Sequence, residues 1–190
     1  MKLVVGVLIV AVLGTSCGVP ADNQAERVDD VPFGLLDPQP SAPAESVGPT
    51  EGPVVQIYLV DSTGQKLAPV ERRLSQASAS DVVEALMAGP TRRERQQGMS
   101  TALGSEALVS RVELVGGVAS VDLTGRFTAL DGLTQQMGIA QLVLTLTGRP
   151  GVGRISFTLD GQPIDIPRGD GTLATGSVSR DNYREFLTEA

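Results

Sequence analysis

The chain has 190 residues, 22 acidic against 15 basic, a net charge of −7, one cysteine and no histidine. An acidic balance with only 3% aromatic residues argues against a nucleic-acid binder, which needs basic patches and stacking platforms, and against electrostatic adhesion to anionic lipid. Without histidine, Ser-His-Asp and Cys-His nucleophile systems and His-ligated metal sites are excluded as well.

The N-terminus carries an address. Met1-Lys2 is a short positive segment, and Leu3 to Leu13 is apolar throughout apart from Gly6. That run is too short to span a bilayer as a helix but fits the apolar region of a signal peptide. Gly14-Thr15-Ser16 are small, as a cleavage site needs, so residues 1–16 read as the signal peptide and Cys17 follows at once. An exported protein with one cysteine cannot close an internal disulfide. Cys17 is then a free thiol, half of an intermolecular bridge, or a lipidation site. The last is preferred because the segment resembles the lipobox of bacterial lipoproteins, although Leu13 stands one place early and Gly14 occupies the usual Leu position. On that reading a diacylated Cys17 anchors the chain to the outer face of the cytoplasmic membrane. The alternatives are an ordinary secreted protein or an uncleaved N-terminal anchor.

Residues 17–53 read as the lipidated N-terminus and a Pro-rich tether. Pro20, Pro32, Pro38, Pro40, Pro43, Pro49 and Pro53 fall among scattered acids with no helical or strand period, and such a composition buries too little apolar surface to offset its ordering entropy. As a coil its ends would lie on the order of 30 Å apart. The apolar patch Val31-Pro32-Phe33-Gly34-Leu35-Leu36 interrupts it, either as a docking segment or as isolated apolar residues in a linker.

Residues 54–190 are long enough for one core. Val54 to Val60 is a β-branched, aromatic-containing strand closed by the turn cluster Asp61-Ser62-Thr63-Gly64. Leu67 to Leu74 resumes as a second strand, where Pro69 marks an edge or bulge. The stretch from Ser80 to Leu103 organises the rest. Ser78 or Ser80 caps a helix with Asp81 in its first turn, and Val82, Val83, Leu86 and Met87 share its core face. Gly89-Pro90 stops that helix. Thr91 with Glu94 is a capping-box pattern for a short helical turn that Gly98 ends. From Leu108 to Val115 residues alternate, with Leu108, Ser110, Val112 and Leu114 opposed to Val109, Arg111, Glu113 and Val115. Gly116-Gly117 turns the chain into Val118–Leu123 as a hairpin. Thr134 caps a second, mostly buried helix running to about Thr147, stopped by Gly148 and Pro150. Arg154–Leu159, the turn Asp160-Gly161 and Gln162–Ile166 form a last strand pair. A Gly- and Ser-rich stretch then leads to a closing helix over Val178–Leu187, docked by Tyr183 and Leu187. The expected fold class is α+β: a mixed, largely antiparallel sheet with two main helices packed on it in the order β-β-α-β-β-α-β-β, plus a short C-terminal helix.

These segments, in this order, resemble the GerMN domain found in lipoproteins of GC-rich Gram-positive bacteria. The matching pieces are Val54 to Val60, Leu67 to Arg73, Glu84 to Thr91, Ser100 to Leu103, Val118 to Leu123, Ala140 to Val143 leading into Thr145-Leu146-Thr147, and Asp160-Gly161. The resemblance covers most of Val54 to Ile166. It implies an extracytoplasmic α+β module without established catalysis, serving interaction or assembly in the cell envelope, and it does not imply a part in sporulation.

Chemistry is sparse elsewhere. Lys66 is the only lysine left after export and has no serine motif beside it, which disfavours a Ser–Lys dyad. Gly151-Val152-Gly153 lacks the rest of a dinucleotide fingerprint and precedes a strand. Asp160-Gly161 and Asp170-Gly171 lack calcium-loop spacing and read as turns. No cofactor or metal is expected. Arg92, Arg93 and Arg95 form the one basic cluster on an acidic protein, either a solvated helical turn capped by Glu94 or a site for an envelope protein. Ser100 and Thr101 match the family's central loop, where backbone bonding by Thr101 and burial of Leu103 compete with ligand contact. Three functions follow in order: a tethered protein-interaction module, a binder of a small cell-wall or envelope ligand, and a hydrolase using carboxylates such as Glu113 and Asp122, whose polar faces the strand pattern does not place together.

Overall fold

A computed structural model describes residues 51–104 and 108–188. The expected signal peptide at 1–16, Cys17, the expected tether up to residue 50 and the Val31–Leu36 patch lie outside the described residues. The domain is α+β, as its segment order implies.

Val54–Val60 (β1) and Leu67–Arg73 (β2) pair antiparallel from Val54 opposite Arg73 to Val60 opposite Leu67. The Asp61 carboxylate tightens their turn by accepting from the Thr63 N–H and hydroxyl at 3.2 and 2.6 Å. Pro69 lies opposite Tyr58 on the outer strand of this two-stranded ribbon, where a missing N–H costs no ladder bond. Ala79–Met87 forms α1, and its cap is Ser78: the Ser78 hydroxyl accepts from the Asp81 N–H at 3.1 Å while the Asp81 carboxylate accepts from the Ser78 N–H at 2.9 Å. Ala79, Val82, Val83 and Leu86 are buried, and each of the larger three contributes about 1.5–3 kcal/mol by leaving water. Arg92–Gln96 is α2, with the Thr91–Glu94 capping box in place.

Val109–Val115 (β3) and Val118–Leu123 (β4) form the glycine-turned hairpin, with Val115 opposite Val118 and both Gly116 and Gly117 at positive φ, the backbone a type I′ turn requires. The alternation is broken in one place. Val109 pairs with Leu123 and Arg111 with Asp122, so Ser110 is an extra residue in a bulge. The bulge puts Val109 on the core face with Val112, and not on the Arg111 face where strict alternation places it.

Gly132–Thr147 is α3, starting earlier than expected because Asp131, not Thr134, is its cap; the Asp131 carboxylate accepts from the Thr134 N–H at 3.0 Å. It returns the chain to Arg154–Leu159 (β5), which pairs parallel with β4. The strands are distributed over three sheets: the β1–β2 ribbon, a five-stranded sheet ordered β3-β4-β5-β6 with β9 also on β5, and a small β7–β8 pair. Gln162–Pro163 (β6) is shorter than the expected strand, and Ile166–Pro167 (β7) pairs instead with Leu173–Ala174 (β8). Ser177–Val178 (β9) adds the Gly- and Ser-rich stretch to the sheet. The closing helix is 3₁₀ over Arg180–Phe186 with a kink at Tyr183, whose ring is fully buried and whose hydroxyl donates to the Pro167 carbonyl at 2.8 Å. Leu187 is half-buried and bridges to Leu67.

The core lies around α3, from Met137 to Leu146, which packs against β1 and β5 and against α1. Ala119, Val121, Leu123, Ile155 and Phe157 face it from the sheet. The opposite sheet face carries Arg111, Glu113, Ser120, Asp122, Ser156 and Thr158, and this polar face sets up one of three candidate regions.

Candidate functional site

The first region is α2. Gly89 takes positive φ at the end of α1, and Pro90 carries the chain into the Thr91 cap. Glu94 does more than complete that cap. Its carboxylate accepts from the Thr91 N–H at 2.7 Å and also takes the Arg72 guanidinium as a two-bond fork at 2.6 and 2.5 Å. The two side chains are only 16% and 14% exposed. Burial pushes the Glu94 carboxyl up, but the Arg72 fork and the Thr91 bonds outweigh it and hold it below its ordinary value. The turn is therefore pinned to β2 from inside, and Arg92, Arg93 and Arg95 are exposed on its outside. Arg95 also donates to the Pro90 carbonyl.

The second region is the loop after α2. Ser100 exchanges backbone bonds with Val60 at 2.9 and 3.0 Å, and its side chain is exposed. The Thr101 hydroxyl accepts from the Leu103 N–H at 3.1 Å and donates to the Gln141 side-chain carbonyl at 3.3 Å. Leu103 is fully buried. Gln141, itself fully buried on α3, accepts from the Ala102 N–H at 2.8 Å and donates to the Tyr58 carbonyl at 2.8 Å. One turn on, the Thr145 hydroxyl accepts from the Tyr58 N–H at 3.0 Å. Thr101 thus takes part in a buried network that seals the edge of β1. Nearby, Lys66 donates from its ammonium to the Glu185 carbonyl at 2.5 Å, which ties the first turn to the C-terminal segment.

The third region is a groove of about 400 Å³ on the polar sheet face, lined by Arg111, Glu113, Ser120, Asp122, Thr158 and the Asp160-Gly161 turn. Here the structure brings Glu113 and Asp122 onto one surface, which strand alternation alone did not reveal. Asp122 is fully engaged: Oδ2 accepts from the Ser110 hydroxyl at 2.5 Å, and Oδ1 accepts from the Thr158 hydroxyl at 2.5 Å and the Gly161 N–H at 2.8 Å. The Ser110 bond first, then Thr158 and Gly161, hold the Asp122 carboxyl below its ordinary value. A carboxylate so stabilised in its charged form clasps the bulge, β5 and the turn together, and is poorly set up to donate a proton. Glu113 pairs with Arg111 at 3.3 Å, both well exposed. Among the described residues, no three acidic or cysteine side chains cluster as metal ligands.

The family model described as "Germane: Sporulation and spore germination" matches residues 56–165. The chain belongs to that family. Its Germane fold is similar to the first GerMN domain of the sporulation protein GerM from Bacillus subtilis, at 19% identity and TM-score 0.55, covering 68% of this chain and 98% of that one. It is similar also to the tandem GerMN domains of the same Bacillus subtilis protein, at 20% identity and TM-score 0.54, covering 68% of this chain and 47% of that one. No curated protein matches it. At these identities the likeness is one of fold. The Germane match spans the loop from Gly98 to Leu103 and both ends of the Gln141 network, and stops short of β8, β9 and the 3₁₀ segment. Neither Arg72 nor Gln141 stands out in the sequence as a functional residue. Their one signal is type against context: a glutamine inside an otherwise apolar helix, and an arginine on a ribbon strand facing a capping glutamate.

Proposed function

We propose that this chain is a lipoprotein held on the outer face of the cytoplasmic membrane by a lipid on Cys17, and that its Germane domain is a non-catalytic interaction or assembly module for another envelope protein. The arginine turn carries this reading. The inward Arg72–Glu94 fork fixes α2, so Arg92, Arg93 and Arg95 are displayed from a rigid turn on an acidic protein. Arginine suits such a role because its planar fork bonds carboxylates in pairs. A second reading, favoured by the sheet-face groove, is the binding of a small polar envelope ligand.

Replacing Arg92, Arg93 and Arg95 together by Ala tests the choice. The melting temperature should stay nearly constant, since exposed charges contribute roughly 0–1 kcal/mol each. Recovery of the co-purifying protein from detergent-solubilised envelope should fall sharply and lose its salt sensitivity. Unchanged recovery would remove α2 as the interface and move the weight to the groove.

A further inference from the structure

Sheet edges differ sharply across this domain. The inner edge of β1 is capped at Tyr58 by Gln141 and Thr145 and at Val60 by Ser100. The outer strand of the ribbon has Pro69 at its centre, β6 ends in Pro163 and β7 in Pro167. Proline removes the donor a further strand would need, and two-residue strands offer little to pair with. β3 has neither protection beyond its Ser110 bulge. From Arg111 to Val115 it runs regularly, and Leu114 and Val115 are 45% and 74% exposed.

The register shows which groups are offered. In a hairpin with a two-residue turn, Val115 and Val118 form a hydrogen-bonded pair, so Glu113 opposite Ser120 and Arg111 opposite Asp122 do likewise. Val112 and Leu114 lie between them and point their N–H and C=O groups away from β4. Among the described residues, no backbone hydrogen bond from outside the sheet reaches either one.

We propose that the β3 edge pairs antiparallel with the β3 edge of a second copy of this chain, about a two-fold axis at Val112. This surface is separate from the arginine turn and does not depend on it. Centring on Val112 makes Val112 face Val112 as a hydrogen-bonded pair, using the groups the hairpin leaves outward. The same register sets Arg111 directly opposite Glu113 of the second copy, twice by symmetry, on the polar face. Shifting the centre by one residue in either direction sets Arg111 opposite Arg111 or Glu113 opposite Glu113, like charges directly across from one another. Charge pairing therefore selects the register centred on Val112. In it the two sheets join as a continuous ten-stranded sheet, with the two grooves adjacent across the axis.

Sedimentation of the full chain in detergent, over a concentration series up to near-millimolar, tests this. Wild type should show a reversible monomer–dimer equilibrium. Arg111→Glu and Glu113→Arg should each weaken it by about tenfold or more, because each places like charges opposite one another at two symmetric positions. An equimolar mixture of these two variants should restore wild-type association, since only the mixed dimer has opposite charges at both positions. Val112→Pro, which leaves the β4 ladder intact, should abolish association while far-UV circular dichroism stays unchanged. A wild type that remains monomeric throughout overturns the proposal. So does a dimer that survives Val112→Pro, or single variants whose mixture regains nothing.

Discussion

The ribbon β1–β2 and the hairpin β3–β4 begin from the same material, seven-residue first strands rich in valine and leucine folded back on a tight turn, yet the domain treats them oppositely. The outward backbone groups of β1 at Tyr58 meet helix α3, where water is absent, and Gln141 and Thr145 supply the partners that water cannot. The ribbon's other strand is held by Arg72 on Glu94. In β3–β4 the polar sheet face is open, and the outward groups of Val112 and Leu114 have no partner within the sheet. The lesson is that a strand's fate depends less on its own residues than on what lies against its edge. A buried edge demands polar side chains in the covering helix, at the expense of that helix's apolar content. An open edge demands none and stays available to another strand.

The comparison can be broken most forcefully at Gln141. Gln141→Leu keeps the side-chain volume nearly constant but strands the Tyr58 carbonyl in the core and the Ala102 N–H at its partly buried margin. Each buried group without a partner costs about 1–3 kcal/mol, so unfolding in urea should show a loss of about 3 kcal/mol with an unchanged m-value. A loss below about 1 kcal/mol would mean that the edge of β1 is sealed by packing alone.

A middle-sized effect is expected at the ribbon's other tie. Glu94 has its carboxyl held below the ordinary 4.5 in the folded state. A group depressed by folding contributes stability that is complete above its unfolded pKa and disappears as pH falls through its folded one. Glu94→Gln should therefore cost about 2 kcal/mol at neutral pH, and this gap should close as the pH is lowered below 4.5 through the folded pKa. Urea unfolding at neutral and acidic pH measures both. A gap of equal size at both pH values would remove the charge from the account and leave only the amide's altered fit.

Much of this contrast was legible in the sequence, and the rest was not, for a physical reason. Periodicity and turn chemistry are local, so the Gly116-Gly117 hairpin, the face of α1 and the Thr91–Glu94 cap follow directly from neighbouring residues. What depends on partners distant along the chain does not. Arg72 and Glu94 are 22 residues apart and Gln141 and Tyr58 are 83 apart. The Ser110 bulge is invisible because its cause is Asp122 on the facing strand, and it changes which side Val109 occupies. The short strands β7 to β9 have too few residues to show any period. Asp131 displaced Thr134 as the cap because both fit the pattern and only the turn after Phe127 decides between them. For the candidate site, the exposure of Arg92, Arg93 and Arg95 could be read from a turn that carries no apolar residue. The joining of Glu113 with Asp122 in one groove required the register.

The smallest effect should come from the open hairpin itself, at Asp122. This carboxylate joins the Ser110 bulge, Thr158 on β5 and the Gly161 turn, but it does so at the surface, where water can replace each bond. Asp122→Ala should therefore loosen only its neighbourhood. Native-state hydrogen exchange should speed up at the Gly161 amide, which donates to Asp122 at 2.8 Å. It should stay unchanged at the Tyr58 amide, which donates to Thr145 under the covering helix. Acid should imitate the substitution in wild type. Folding depresses the Asp122 carboxyl below its ordinary 3.8, so the clasp is intact above that pH and opens as the pH falls through the lower folded value. If Tyr58 instead lost protection by the same factor as Gly161, the two hairpins would open as one cooperative unit, and the difference between a sealed edge and an open one would lie in contacts alone and not in local stability.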